Sequence, residues 1–400
     1  MTTSEQMRSW TGPALFSYGF RPFFLFGATW AATAMILWIL MFSGLLTLPT
    51  RLDPVSWHAH EFLFGYLGAV IAGFLLTAVP NWIGRLPVVG WRLAGLFGVW
   101  VAGRVLILIS ASLPLGLAEA IDLLFPILLG AVILREIVAG KNWRNLIVLV
   151  LLAVFTFANL LFHIEAAQGA FPAQGIGLRI GVAAALMMIS LIGGRIIPSF
   201  TRNWLVKAGK TDLPTPPMQR FDRITLAATV LALFLWVMWP ISDAAGATLL
   251  IIGALHLRRL ARWKGYHART EPLLWVLHVG YLYVPLGAIV EGFAILLPDW
   301  LSPGVAQHLW MAGAFGLMTL SVMARATLGH TGQTLTAGPG GVVMFLCLAV
   351  SVLSRVAVGI WPSNADPLYA ISGTLWIGAF AAFVVIYGRL LVAPKPEGSE

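Results

Sequence analysis

Two histidines and a carboxylate stand together at the start of a long apolar stretch, in Trp57-His58-Ala59-His60-Glu61. Imidazole nitrogen suits copper, iron and haem iron, and a carboxylate beside it can accept a hydrogen bond from a ligating ring or relay protons. Residues two apart are separated by about 200° around an α-helix, so a regular helix cannot direct both imidazoles at one ion. Either the turn is irregular and both histidines bind one ion, or they serve different centres.

The composition places these residues in a polytopic membrane protein. Of the 400 residues, 59% are hydrophobic and 10% are charged, and the mean hydropathy is +0.87, which is outside the range of soluble globular domains. The 17 Trp and 41 Gly agree, because Trp gathers at bilayer interfaces and Gly permits close helix packing in lipid. The single cysteine, Cys347, excludes an intrachain disulfide and a cysteine-based zinc site, which leaves imidazole, carboxylate and thioether ligands.

Twelve apolar segments of about 20 residues predict twelve membrane-spanning helices, because a helix of that length crosses the hydrocarbon core. The predicted fold is therefore all-α, with one integral membrane domain over residues 1–400. We expect the first segment to be retained rather than cleaved as a signal peptide. Spans 1 to 12 are predicted at residues 23–46, 57–80, 88–111, 115–138, 146–163, 175–198, 224–239, 245–260, 273–297, 305–328, 342–360 and 368–391.

The basic residues predict the orientation of the spans. They concentrate in alternate loops, and the positive-inside rule then puts both termini in the cytoplasm. The net charge of +9 is thereby explained by the basic residues of the cytoplasmic loops. The basic cluster at 258–264 is interpreted as one of these loops rather than as a binding site for nucleic acid or anionic lipid. The cytoplasmic basic residues in this orientation are Arg8, Arg21, Arg85, Arg92, Arg135, Lys141, Arg144, Arg202, Lys207, Lys210, Arg220, Arg223, Arg258, Arg259, Arg262, Lys264, Arg269, Arg389 and Lys395.

A faint repeat relates every fourth span. Spans 2, 6 and 10 all end in polar tails that contain helix-breaking residues, at 80–85, 198–204 and 325–330. This spacing would suit three four-helix units around a pseudo-threefold axis. The alternative is coincidence.

Four histidines from three spans converge on the predicted outer face. His58 and His60 open span 2, His163 closes span 5 and His308 opens span 10, and these four are the candidate metal ligands. The alternative for each one is an interfacial hydrogen-bonding role. Two further candidates for cofactor binding lie in the inner half, namely His278 in span 9 and His330 at the end of span 10.

Acids and arginines within the spans form a second class of candidates, because ionisable residues in lipid need partners or polar cavities. Glu61, Glu291 and Asp122 could deliver protons to a bound ligand. Arg195 and Arg325 could pair with haem propionates, and ion pairing within the bundle is the alternative.

At these residues the sequence resembles the NnrS family of bacterial membrane proteins. The matching segments are Gly19-Phe20-Arg21-Pro22-Phe23-Phe24, residues 57–66, 73–82, 193–204 and 325–332. The resemblance implies an integral protein of the bacterial cytoplasmic (inner) membrane that contains haem b and copper. It also implies an association with nitric oxide metabolism and nitrosative stress in denitrifying and pathogenic bacteria. One departure is Ala324, where the family is expected to have Thr before the arginine.

A looser, architectural resemblance links the chain to subunit I of the haem-copper oxidases. Those proteins have twelve spans in three four-helix arcs and haem-ligating histidines on spans 2 and 10, so His58 or His60 and His308 would correspond in kind. The oxidase run of copper-binding histidines on spans 6 and 7 is absent from this sequence. Copper would then be held by His58, His60, His163 or His308.

The leading hypothesis is a protein that holds haem b and copper and binds nitric oxide at a histidine-ligated site in the outer half of the membrane. Whether it also reduces nitric oxide, as an oxidoreductase, stays open. Electrons would come from quinol or a redox partner, since the sequence has no soluble electron-transfer domain and no haem c motif. The second hypothesis is a non-enzymatic carrier or sensor of nitric oxide, haem or copper, and the third is a secondary transporter. The lipid bilayer is a further expected partner, and nucleic acid is not.

Overall fold

The computed structural model of the chain describes residues 10–83, 88–299 and 303–394. Over these ranges the chain is helical, with no strand, and twelve helices are long and apolar enough to cross a membrane. The predicted all-α fold with twelve spans is therefore confirmed. The helices α1 to α12 are Phe20–Phe42, Pro54–Trp82, Trp91–Leu108, Leu117–Ala139, Trp143–Ala167, Ile176–Lys207, Arg220–Met238, Asp243–Ala261, Pro272–Leu296, Gly304–His330, Gly338–Ile360 and Pro362–Val392.

The largest difference in boundaries is at the end of α6. The sequence predicts that this helix ends at Pro198, but α6 continues to Lys207 with the proline inside it. A proline inside a helix lacks an N–H and crowds the carbonyl four residues earlier. Here the wider π-helical segment Ile189–Gly193 comes directly before that carbonyl, which belongs to Gly194. The connection between α6 and α7 therefore starts only after Lys207.

Every fourth helix contains a π-helical segment. The segments are Glu61–Tyr66 in α2, Ile189–Gly193 in α6 and Leu309–Leu317 in α10. The apolar cores of these helices are 78%, 61% and 72% buried, and of the other described helices only α9 is comparable. Such segments are frequent at functional sites, and two of these three follow a histidine directly, His60 and His308. The arrangement as three four-helix units remains a prediction.

The helices divide into two compact units. The first consists of Met1–Gly181, Ala326–Thr334 and Phe380–Glu400, and the second of Val182–Arg325 and Leu335–Ala379. Three helices, α6, α10 and α12, thus contribute to both units. The single domain predicted from the sequence remains a prediction.

Each unit has its own packed aromatic core. In the first unit Trp57 is completely buried and packs with Ala34 of α1 and Ile107 of α3. In the second unit Trp263 and Tyr281 are buried together, with their ring centroids 4.4 Å apart. These cores hold α2, which carries the buried His60, and α9, which carries the buried His278.

The two ends of the described chain meet through Arg21. Its guanidinium donates to the carbonyl oxygens of Leu391 at 3.1 Å and Ala393 at 2.6 Å, at the end of α12. The start of α1 and the end of α12 therefore lie on the same side, as an even number of spans requires. Which side faces the cytoplasm remains a prediction. Three residues used for that prediction, Arg8, Arg85 and Lys395, lie outside the described residues.

Candidate metal centre

The start of α2 fixes the position of its histidines. Asp53 caps the helix, because its Oδ1 accepts hydrogen bonds from the backbone N–H groups of Val55 and Ser56, each at 3.0 Å. Pro54 occupies the first helical turn, where its missing N–H costs nothing. His60 is the last residue before the π-helical segment, and both it and Glu61 are completely buried.

Two histidines and an aspartate meet in the first unit. His60 Nε2 lies 3.3 Å from Asp122 Oδ2, and His163 Nε2 lies 3.0 Å from the same oxygen. The two imidazole rings have their centroids 4.8 Å apart. His60, Asp122 and His163 each offer one ligand atom, all within 4.8 Å of one another, and all three are buried. We refer to these three residues as the His–Asp–His cluster.

An arginine links this cluster to a second carboxylate. The Nη1 atom of Arg104 donates to both carboxylate oxygens of Glu61 at 2.7 Å, and its Nη2 atom donates to Asp122 Oδ1. Glu61 also accepts from Trp30 Nε1 at 2.8 Å and lies 3.0 Å from His60 Nδ1. With neutral imidazoles, two carboxylates and one guanidinium leave a net charge of −1. Buried charge must be compensated, and a cation bound to the cluster would supply that compensation.

Gly65 makes room for the arginine. A Cβ atom at this position would lie 2.6 Å from Arg104 Nη1 and 2.8 Å from Glu61 Oε2. The Gly65 carbonyl accepts a hydrogen bond from Trp100 Nε1 at 3.0 Å, which ties the π-helical segment to α3. A larger residue at 65 would therefore displace the Glu61–Arg104 ion pair.

Asn159 completes the cluster, and the sequence analysis missed it. Its Nδ2 donates to Asp122 Oδ2 at 2.7 Å, and its Oδ1 lies 3.1 Å from His60 Nε2. A signal was available, because Asn159 precedes His163 by four residues and thus shares its face of α5. Sequence reasoning also left the partner of Glu61 unassigned, since Arg104 lies on another span.

His58 lies apart from the cluster. Its ring stacks on Trp38, with centroids 4.5 Å apart, and is 4.6 Å from the Phe62 ring. The helix is regular from Pro54 to His60, so the two histidines of the motif point in different directions. The irregular turn of the first sequence-based alternative is therefore not observed, and that the two histidines serve different centres remains a prediction.

The remaining candidate histidines have other surroundings. In the second unit, His308 Nδ1 lies 2.6 Å from the Gly304 carbonyl oxygen, which leaves Nε2 for another partner. His278 Nε2 lies 2.9 Å from Thr201 Oγ1, and its buried Nδ1 has no hydrogen-bond partner among the described residues. In the first unit, His330 stacks on Tyr18 at 5.3 Å, and burial raises the pKa of the Tyr18 phenol.

Two of the predicted ionisable residues of the second unit, Glu291 and Arg325, contact aromatic side chains. Glu291 Oε1 accepts from Trp236 Nε1 at 2.8 Å, while its buried Oε2 has no hydrogen-bond partner among the described residues. The Arg325 guanidinium lies over the Phe200 ring, 4.2 Å from its centroid. Arg195 is half-buried in α6.

A second buried polar network surrounds Arg259, which the sequence analysis had assigned to a cytoplasmic basic cluster. Arg259 is completely buried and donates to Asp222 Oδ1 at 2.8 Å. It also donates to the Ser190 carbonyl at 2.8 Å and to the Tyr281 hydroxyl at 3.0 Å. The Tyr281 hydroxyl lies 2.8 Å from His256 Nδ1. In each unit, therefore, a buried arginine stands beside a π-helical segment and pairs with a carboxylate.

The donor set of the His–Asp–His cluster fits a transition-metal ion. Two imidazole nitrogens and a carboxylate oxygen suit copper, iron or zinc. The Glu61 carboxylate beside His60 Nδ1 is the kind of partner that orients a ligating imidazole. No histidine lines either of the two cavities next to α4 and α5, so neither of them offers a nitrogen ligand to a haem iron. The described contacts thus define a candidate site for a metal ion.

A family model described as "NnrS protein" matches residues 14–395, which is nearly the whole chain. No curated protein matches the chain.

Proposed function

The chain belongs to the NnrS family, and from this membership and the buried His–Asp–His cluster we propose a metal-binding membrane protein of nitric oxide metabolism. His60, Asp122 and His163 would hold a copper ion, and nitric oxide would be its ligand. Bound copper would supply an open coordination position and a change of oxidation state. The observation that carries the proposal is the approach of two imidazole Nε2 atoms to one carboxylate oxygen, 3.3 Å and 3.0 Å away.

We assign supporting roles to the residues around the cluster. Glu61 would orient the His60 ring through Nδ1, and Asn159 would orient the Asp122 carboxylate through Oδ2. Arg104 would hold both carboxylates in their ionised form by pairing with each. From the sequence alone, Asp122 and Glu61 were both candidates for delivering protons. We now propose Asp122 as a metal ligand and Glu61 as a positioning residue.

Haem b remains part of the proposal on the basis of the family resemblance. Among the histidines outside the cluster, His308 would be the residue that binds the haem iron. Its Nδ1 is held by the Gly304 carbonyl while Nε2 is left for another partner. His58, His278, His330, Arg195 and Arg325 remain candidates for the same cofactor. We place the protein in the bacterial cytoplasmic membrane with both termini in the cytoplasm.

The surroundings of the cluster favour binding of nitric oxide over its reduction. Reduction consumes protons as well as electrons, which quinol or a redox partner would have to supply. The cavity beside the cluster is apolar apart from Asp122 and Asn159, and Glu61 is engaged by Arg104, Trp30 and His60. A carrier or sensor that binds nitric oxide without consuming it is therefore our preferred form of the function, and a reductase is the second form.

The test is metal analysis and anaerobic spectroscopy of the purified full-length protein. We expect about one copper per chain, a spectral change when nitric oxide is added, and no nitrous oxide when a reductant is supplied. Steady production of nitrous oxide would favour the reductase. A wild-type protein that contains no stoichiometric metal would refute the proposed centre, and an absence of haem absorption would refute the haem assignment.

A further inference from the structure

A small cavity lies directly against the metal cluster. Asp122 and Asn159 form its polar side, and the rest of its lining is apolar, including Phe64 of α2, Phe125 of α4 and Phe155 of α5. Its volume is about 10 Å³, close to the space that a single water molecule occupies. The cavity therefore has room for about one water-sized molecule, and its hydrogen-bonding groups lie only on the side of Asp122 and Asn159.

A larger cavity lies outside it, between α4 and α5. Its volume is about 340 Å³, and its lining side chains are apolar except for Thr156. The Thr156 hydroxyl donates its hydrogen bond to the Leu152 carbonyl at 2.8 Å. Its proton is therefore not available to a molecule in the cavity. Three of the lining residues, Ile127, Phe157 and Leu160, are 55%, 51% and 39% exposed. In a membrane-spanning pair of helices, this open apolar side faces the lipid chains.

The two cavities adjoin at Pro126 and Leu152, which line both of them. Pro126 lies inside α4, four residues after Asp122, so it cannot donate to the Asp122 carbonyl and its ring crowds that carbonyl. Leu152 is 2% exposed and faces it from α5. These two residues therefore separate a cavity open to lipid from a cavity in contact with a proposed metal ligand.

We propose that these cavities are the entry route for a small, uncharged, lipid-soluble diatomic molecule, which passes between α4 and α5 to the Asp122 side of the cluster. Charged or strongly hydrated solutes would find no partners along the apolar lining, whereas such a gas dissolves in the hydrocarbon core. The inner cavity, at about 10 Å³, has no room for a molecule much larger than a diatomic one. The inference rests on the proposed function for its endpoint, since the metal ion is where the molecule would bind.

The kinetic test uses two neighbouring positions on α5. Ala153 lines the outer cavity and Val154 does not, although both are exposed. We would load the full-length protein with Cu(I) in lipid nanodiscs and follow carbon monoxide by flash photolysis. In Ala153→Trp the association and dissociation rate constants should both fall by about tenfold, the factor that a barrier higher by about 1.4 kcal/mol gives. The dissociation constant should not change, because a route alters both rates equally.

Two further variants complete the kinetic test. Val154→Trp should bind carbon monoxide at the wild-type rate, which controls for a bulky indole on this helix. Leu152→Ala shortens one of the two side chains that separate the cavities and should raise both rate constants. Copper content is measured for every variant, and an Ala153→Trp protein with full copper and wild-type rates would overturn the route while leaving the metal centre intact.

A second measurement needs no metal. Xenon enters apolar cavities, so crystals of the metal-free protein under xenon pressure should show xenon between α4 and α5 in wild type and Val154→Trp. Ala153→Trp should lose the outer xenon position. If xenon binds as expected in a protein that fails to bind copper, the route stands and the proposed function fails. Absence of xenon from wild type would refute the route.

Discussion

Asn159 and His163 lie one helical turn apart on α5, and both side chains end on the same oxygen of Asp122, at 2.7 Å and 3.0 Å. The asparagine amide donates to that oxygen and so fixes the carboxylate from α4 in front of the imidazole. The uncharged Asn159 thus sets the orientation of the Asp122 carboxylate, which is the proposed charged ligand of the metal ion.

Asn159→Leu should weaken metal binding without removing any ligand. The leucine has a similar volume but no amide to hold Asp122, and loss of such a supporting hydrogen bond lowers metal affinity by about 10- to 100-fold. Competition with a chelator of known affinity measures the change. Thr156→Val, three residues earlier on α5 and bonded only to its own helix, is the control and should keep wild-type affinity. Equal affinities in both variants would contradict the assigned role.

The two histidines of the α2 motif should differ in their effects. His60→Ala removes a ring that lies 3.3 Å from Asp122 and should abolish binding of metal at the cluster. His58→Ala removes a ring that stacks on Trp38 and should leave the copper at the cluster in place. Copper per chain, determined by mass spectrometry of the purified variants, distinguishes them. If the His58 variant lost its copper and the His60 variant kept it, the site would be wrongly assigned.

Asp122→Asn should affect both stability and metal content. It leaves Arg104 buried with one carboxylate partner fewer, and breaking a buried ion pair costs about 3–5 kcal/mol. Asp222→Asn is the matched control, since Asp222 pairs with the buried Arg259 in the second unit. Both variants should unfold at lower denaturant concentration in detergent, whereas only Asp122→Asn should lose copper. Copper loss of equal size in both would show that metal content simply follows stability.

Gly65→Ala should disturb the ion pair next to the cluster. The added methyl group would lie 2.6 Å from Arg104 Nη1, and such overpacking costs about 1–3 kcal/mol. Gly95→Ala, on α3, meets nothing within 4 Å and should be neutral or slightly stabilising, because Ala favours helix over Gly. Thermal unfolding followed by circular dichroism compares the two. A Gly65 variant as stable as wild type would mean that the arginine can move aside without cost.

The sequence was enough to predict the helices, because long apolar segments admit no other structure in lipid. It also indicated that His60 and His163 belong to a common site, since both stand at the same predicted level. The choice between His58 and His60 could not be made, because it depends on which face of α2 packs inward. Arg104 could not be matched to Glu61 either, since α2 changes its facing within the π-helical segment Glu61–Tyr66 and no hydrophobic period marks that change.

The π-helical segments also show how a helix in this protein can accommodate an inserted residue. In a straight α-helix, one extra residue rotates everything beyond it by about 100°. A wider turn takes up that residue locally, and the helix continues with its neighbours unchanged. In α2 and in α10, the side-chain directions at one end of the helix are therefore independent of those at the other end. In α2, His60 can therefore stay oriented toward a bound ion while the orientation of the other end of the helix is set by packing alone.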